Sequence, residues 1–220
     1  MTPTTHKVEW LVWGGLFLVI TTLLLLFLLS EVRSRYARAH PLPVLGAISN
    51  FTLTNQAGHA ISLDDLRGHV WVADIIFTRC PGPCAKMSRE MNELCESLPT
   101  GSQARLITLT TDPDFDTPPI FRDYIRQHNL NADPDRWLFL TGTKQQIAQL
   151  AVGSLKLTAQ EKALSNRESV NDLFIHSTIF VVVDKKAQLR AIFQSTGEGV
   201  DFREVKPQIL ETVQRLESES

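Results

Sequence analysis

Twenty consecutive residues without a charge, Trp10 to Leu29, constrain this chain more tightly than any other feature of its sequence. As a helix such a run spans about 30 Å, the thickness of a bilayer's hydrocarbon core. It lacks the polar stripe that a helix of this length shows in a soluble protein. Trp10 and Trp13 can occupy one interface, and Arg33, Arg35 and Tyr36 follow on the other side. The run exceeds the usual apolar region of a signal peptide. The small-x-small triplet Ala37-Arg38-Ala39 lies well past it, so an uncleaved single-pass anchor is expected. Basic residues are denser after the run (Arg33, Arg35, Arg38) than before it (Lys7), which by charge alone would keep the following domain in the cytoplasm.

Beyond residue 39 the composition is that of a folded domain. With 220 residues in all, 43% of them hydrophobic, the chain can bury one core. Two parts are expected, residues 1–39 as membrane anchor with a basic flank and residues 40–220 as a soluble domain, with residues 31–47 as the linker between them. A net charge of −2 argues against a nucleic-acid partner.

Phe51-Thr52-Leu53 and Ala60-Ile61-Ser62-Leu63 flank Asn55-Gln56-Ala57-Gly58 as a hairpin. Val70 to Phe77 is nearly continuous apolar sequence around Asp74, as in a strand buried on both faces. Met87, Met91, Leu94 and Leu98 then recur at helical spacing up to Pro99-Thr100-Gly101. Ala104 to Thr110 alternates as a strand. Thr117 and Pro118 open a helix, Leu138 to Leu140 form a short strand, and Thr143-Lys144-Gln145-Gln146 is a capping box. Residues 153–175 are polar and irregular. Thr178 to Val183 and Leu189 to Gln194 pair across Asp184-Lys185-Lys186, and Asp201 caps a last helix with Val205, Ile209, Val213 and Leu216 on one face. Strands alternating with helices, then an antiparallel pair and a helix, match an α/β, thioredoxin-like fold with an N-terminal β-hairpin extension, preceded by one transmembrane helix.

The chemistry lies in Cys80-Pro81-Gly82-Pro83-Cys84, at the carboxyl end of the first central strand, where open α/β sheets place their sites. Pro83 suits a helix start, and Cys84 then falls in the first turn, where the helix dipole favours a thiolate. Two cysteines of the chain's three at this spacing can close a disulfide or bracket one soft metal ion. Three intervening residues depart from the Cys-x-x-Cys of common redox sites. A structural zinc would want four protein ligands. His176, just ahead of a strand, is a third candidate ligand. Met87 and Met91 read as core packing and Cys95 as a plain core or surface thiol, while Asp112 and Asp116 are either turn and cap residues or a functional acidic loop.

The segments Phe77-Thr78-Arg79-Cys80-Pro81-Gly82-Pro83-Cys84, Asp112-Pro113-Asp114-Phe115-Asp116-Thr117-Pro118, Leu140-Thr141-Gly142-Thr143 and His176-Ser177, in this order over residues 45–217, resemble the Sco/SenC family. Its members are membrane-anchored copper proteins that assist assembly of the CuA centre of cytochrome c oxidase. The resemblance implies that Cys80, Cys84 and His176 bind copper, as Cu(I) or Cu(II), and that the chain is a metallochaperone rather than an enzyme. Its implied partner is the CuA-bearing subunit or another copper chaperone. The alternative is a membrane-tethered thiol-disulfide oxidoreductase in which Cys80 and Cys84 are the redox-active pair. The resemblance also implies the bacterial inner membrane, with the domain on the periplasmic side, against the charge count. In one place the chain departs from the family pattern: Ala85, not proline, follows the second cysteine.

Overall fold

The computed structural model describes residues 4–39, 41–163, 165, 174–195 and 199–219. Two compact units emerge, Met1–Pro41 and Leu42–Ser220. The first is helix α1 (Thr4–Ala39), within which Val12–Val32, with a mean hydropathy of 2.5, is long and apolar enough to cross a membrane. The helix runs through the segment expected to begin a linker at residue 31. Glu31 to Ala39 contains neither proline nor glycine, and the first breaker is Pro41.

The second unit is built on an eight-stranded mixed sheet. Its centre is β4 (Trp71–Ile76), parallel to β5 (Arg105–Thr110), which is parallel to β6 (Trp137–Thr141). On the other side of β4 lies antiparallel β9 (Ile179–Val183), followed by β10 (Gln188–Gln194) and the two-residue β1 (Gly46–Ala47). The hairpin of β2 (Thr52–Asn55) and β3 (Ala60–Ser62) pairs with β6 and closes the opposite edge. Asn55 organises its turn, accepting the N–H groups of Ala57 and His59 on its side chain, and Gly58 supplies the positive φ of 87°.

All six residues of β4 are buried, as its apolar run requires. Alternation along the strand feeds two cores. Val72 and Ile76 join the side covered by α3 (Cys84–Ser97), α4 (Pro118–Gln127) and α6 (Phe202–Ser218). Trp71, Ala73 and Ile75 join the side covered by α2 (Leu63–Leu66), α5 (Lys144–Ala148) and the π-helical turn Gln149–Ser154. The expected helix starts are present. Thr143 and Gln146 form a reciprocal capping box, Pro118 opens α4 after an extended Thr117, and Asp201 accepts the Arg203 N–H at 2.9 Å. Absent from the sequence reading are β1, α2, the π-helical turn and a second small sheet. That sheet pairs β7 (Ala159–Glu161) with β8 (Phe174–His176), one near each end of the stretch expected to be irregular. Residues 164 and 166–173 of that stretch lie outside the described residues.

Candidate functional site

The strand β4 ends at Ile76, and the next seven residues turn the chain into α3. Pro83 has helical angles, φ −73° and ψ −17°, and its carbonyl accepts the Met87 N–H at 2.9 Å, so Cys84 is the first helical residue. The second cysteine thus falls in the first turn, as the position of Pro83 implies, although alanine and not proline follows it. Cys80 is half-buried on the preceding turn, where its N–H reaches the Phe77 carbonyl at 3.1 Å and its Sγ accepts the Gly82 N–H at 3.4 Å. No disulfide joins any of the three cysteines.

Electrostatics at Cys84 differ from the sequence reading. The helix N-terminus was expected to favour thiolate, yet Cys84 is only 1% exposed, and that burial pushes its thiol well above the usual range. The neighbouring Cys80 and the buried Asp74 of β4 push the same way, while a hydrogen bond from the Phe77 backbone opposes them. Left alone, this sulfur stays a protonated thiol, and a thiolate here calls for a compensating cation such as a soft metal ion. Behind Cys84, one turn along α3, Ser88 shares a buried 2.9 Å hydrogen bond with Tyr124 of α4.

The loop before the cysteines is held from the side by the segment after β5. Asp116, with no exposed surface, accepts the Thr78 N–H at 3.1 Å and the Thr78 hydroxyl, and takes a third hydrogen bond from the Thr110 hydroxyl at 2.5 Å. Asp112, also buried, pairs with the Arg79 guanidinium, which in turn lies 3.9 Å from the centre of the Phe115 ring. The acidic loop thus points inward and grips residues 78 and 79, a role between the two readings that sequence left open. Thr78 and Arg79 were not singled out beforehand, although their position directly ahead of Cys80 was the available signal.

His176 is the last residue of β8, with Ala159 opposite it on β7, and its side chain lies outside the described residues. The strand itself is anchored to the cysteine turn. Phe174, two residues earlier, packs its ring against Phe77 at 5.2 Å between centroids. Among the described residues no group of three or more His, Cys, Asp and Glu forms a metal cluster. Met87 and Met91 are fully buried in the core, and Cys95 is half-buried three turns along α3, where burial pushes its thiol up. The two methionines pack as expected, and Cys95 lies between core and surface.

Two thiols thus lie at the junction of a central parallel strand and its following helix, and the strand that ends at His176 packs against that junction through Phe174, an arrangement open to thiol or soft-metal chemistry on an α/β scaffold. The SCO1/SenC family model matches residues 45–209, and the chain belongs to that family. A SCO1 protein homolog of Bacillus subtilis is 33% identical over 143 residues, 64% of this chain and 70% of that protein. The solved structure of BsSco, described as a member of the Sco family of cytochrome c oxidase assembly proteins with a disulfide switch, is 26% identical. It superposes with a TM-score of 0.66 over 82% of this chain and all of its own. Copper-bound ScoI of Bradyrhizobium japonicum, 18% identical, shares the fold with a TM-score of 0.61 over 77% of this chain and 99% of its own. The fold is the thioredoxin-like α/β fold expected from the order of elements.

Proposed function

We propose that this chain is a membrane-anchored copper metallochaperone, with Cys80, Cys84 and His176 as ligands and the copper ion as its cargo. The observation that carries the reading is the packing of Phe174 on Phe77, which fastens the strand of His176 to the turn of Cys80 and Cys84. The donor set fits the cargo: two thiolates suit Cu(I), and an added imidazole accommodates Cu(II). Asp112 and Asp116 are engaged inward by Arg79 and Thr78, and Met87 and Met91 by the core, so none of the four is a ligand beside the two sulfurs and one nitrogen. Cys80, the less buried sulfur, is placed to exchange first with a partner's thiol, and Cys84 holds the ion until the transfer completes.

The relatives named as oxidase assembly proteins support a recipient of the same kind, the CuA-bearing subunit of cytochrome c oxidase or another copper chaperone. The apolar span Val12–Val32 supports residues 1–39 as the anchor and residues 40–220 as the working domain, and kinship with oxidase assembly proteins favours the periplasmic side of a bacterial inner membrane over the side that the basic flank suggests. A C-terminal fusion to a reporter active only in the cytoplasm tests that side: silence is expected, and a signal reverses the placement.

A second reading, a tethered thiol-disulfide oxidoreductase, is favoured by the placing of two cysteines at the strand-to-helix turn of this fold. Anaerobic addition of Cu(II) to the full chain in detergent separates the two. Thiolate-to-copper charge-transfer absorption is expected, lost in Cys80→Ser and Cys84→Ser, with copper held far more weakly in His176→Ala while disulfide reduction persists. Copper affinity unchanged in His176→Ala removes the ligand set drawn here.

A further inference from the structure

We propose that Asp116 is a positioning residue for Cys80, acting through Thr78 to set how the two sulfurs meet. The inference rests on reading Cys80 and Cys84 as the working pair and assigns what holds one of them in place. Cys84 is fixed by α3 and buried. Cys80 is not part of any helix or strand, and Pro81, Gly82 and Pro83 beside it are exposed. The geometry of the pair therefore depends on where residues 78–80 lie. Thr78, two positions before the cysteine, places both its N–H and its hydroxyl on the one carboxylate of Asp116. Asp116 is fastened in turn, its own N–H on the Asp112 carbonyl at 2.8 Å and its carboxylate on the Thr110 hydroxyl at the end of β5. The Thr110 oxygen also accepts the Asp112 N–H at 2.8 Å, so the acidic loop and the end of the strand move as one body. A fully buried carboxylate that spends two of its three hydrogen bonds on a single loop residue serves that loop's position, and the next fixed point along the chain is the reacting sulfur.

The test needs no metal. The full chain in detergent is equilibrated with glutathione and its disulfide, and the fraction of bridged Cys80–Cys84 is measured after acid quenching. In that exchange the two cysteines lose two electrons and two protons as their S–S bond forms, and one glutathione disulfide takes them up to give two thiols. Thr78→Val, which keeps the shape and the backbone N–H but removes the hydroxyl, is expected to shift the equilibrium constant about tenfold, or about 30 mV. Asp116→Asn is expected to shift it in the same direction, and Thr78→Ser to restore the native value within about twofold. Leu189→Ala, in the opposite core, serves as a destabilised control with an unmoved equilibrium. Should Asp116→Asn fail to fold, Thr78→Val against Thr78→Ser decides alone. Lower thermal stability in Thr78→Val with an unchanged thiol equilibrium overturns the proposal. A wild-type chain that fails to bind copper defeats the metallochaperone reading and leaves this comparison intact.

Discussion

Phe174 meets Phe77 edge to face, with ring centroids 5.2 Å apart and planes inclined at 69°. The contact joins a strand of the small second sheet to the end of the central strand of the large one. Phe77 also holds the cysteine turn through its backbone, its carbonyl accepting the Cys80 N–H. One residue thus touches the turn of Cys80 and the strand that ends at His176.

Truncating Phe174 to alanine is expected to loosen β8 without unfolding the core, because the ring is only half-buried. An aromatic pair of this kind contributes roughly 0.5–1.5 kcal/mol beyond its area. If that energy is spent on holding His176, copper affinity falls by up to about tenfold. A competition titration against a copper chelator checks this, and Phe174→Leu should fall between wild type and alanine. Equal affinities in all three chains would mean that β8 is not coupled to the site.

Met87 gives a stability prediction that also guards the ligand assignment. It has no exposed surface and lies in the core beneath α3. Met87→Ala is expected to cost about 2–5 kcal/mol by chemical denaturation. Met87→Leu, similar in volume, should cost less than about 1.5 kcal/mol. Copper spectra of the leucine variant are expected to overlay on wild type. A displaced charge-transfer band would instead make the thioether a metal contact.

Sequence made the frame of the molecule legible because periodicity and punctuation agree there. Val70 to Phe77 reads as a doubly buried strand since no charge but Asp74 interrupts it, and Thr143 with Gln146 marks its helix start chemically. The π-helical turn at Gln149–Ser154 was hidden because its residues fit an α-helical continuation equally well. The two strands β7 and β8, three residues each, have too few side chains to show alternation. Cys80 and Cys84 stood out by spacing alone. Burial of Cys84 did not, since the dipole at a helix start is a local property, whereas desolvation is set by the core that tertiary packing builds around the sulfur. Asp112 and Asp116 were visible as a motif, but which way they faced depended on Thr78 and Arg79 across a gap of more than thirty residues.

Arg190 anchors the start and the end of the second unit to one buried charge. Its guanidinium reaches the Leu42 carbonyl at 2.8 Å, the Pro43 carbonyl at 3.2 Å, Asp184 at 2.6 Å and Glu219 at 3.0 Å. Arg190→Met leaves Asp184 buried without its counter-charge, a change that costs about 3–5 kcal/mol. Asp184 also accepts the N–H groups of Lys186 and Gln188, which an amide oxygen can serve equally. Adding Asp184→Asn to Arg190→Met should therefore recover part of the loss in urea unfolding. No recovery would place the cost in the lost carbonyl contacts and not in the charge.

Glu90 supplies a pH dependence whose sign follows from its burial. The side chain, on α3, is 4% exposed and accepts the Ser195 hydroxyl at 2.6 Å. Burial holds its carboxyl above the ordinary value of 4.5, with nearby Glu93 adding to the rise, while the Ser195 hydrogen bond and Lys86, 3.6 Å away, offset part of it. The folded chain thus binds this proton more tightly than the unfolded chain does. Its contribution to stability is complete below the unfolded value and is lost as pH rises through the raised folded one. Asp116, raised by its own burial, adds a slope of the same sign. Glu90→Gln keeps an acceptor for Ser195 and removes the titration, so its unfolding free energy should fall less steeply than that of wild type from about pH 4.5 upward. Urea unfolding of the two full chains in detergent, followed across that range by tryptophan fluorescence, measures the difference. Parallel curves would show that the Glu90 carboxyl titrates alike in both states, and that water reaches it between α3 and β10 despite its burial.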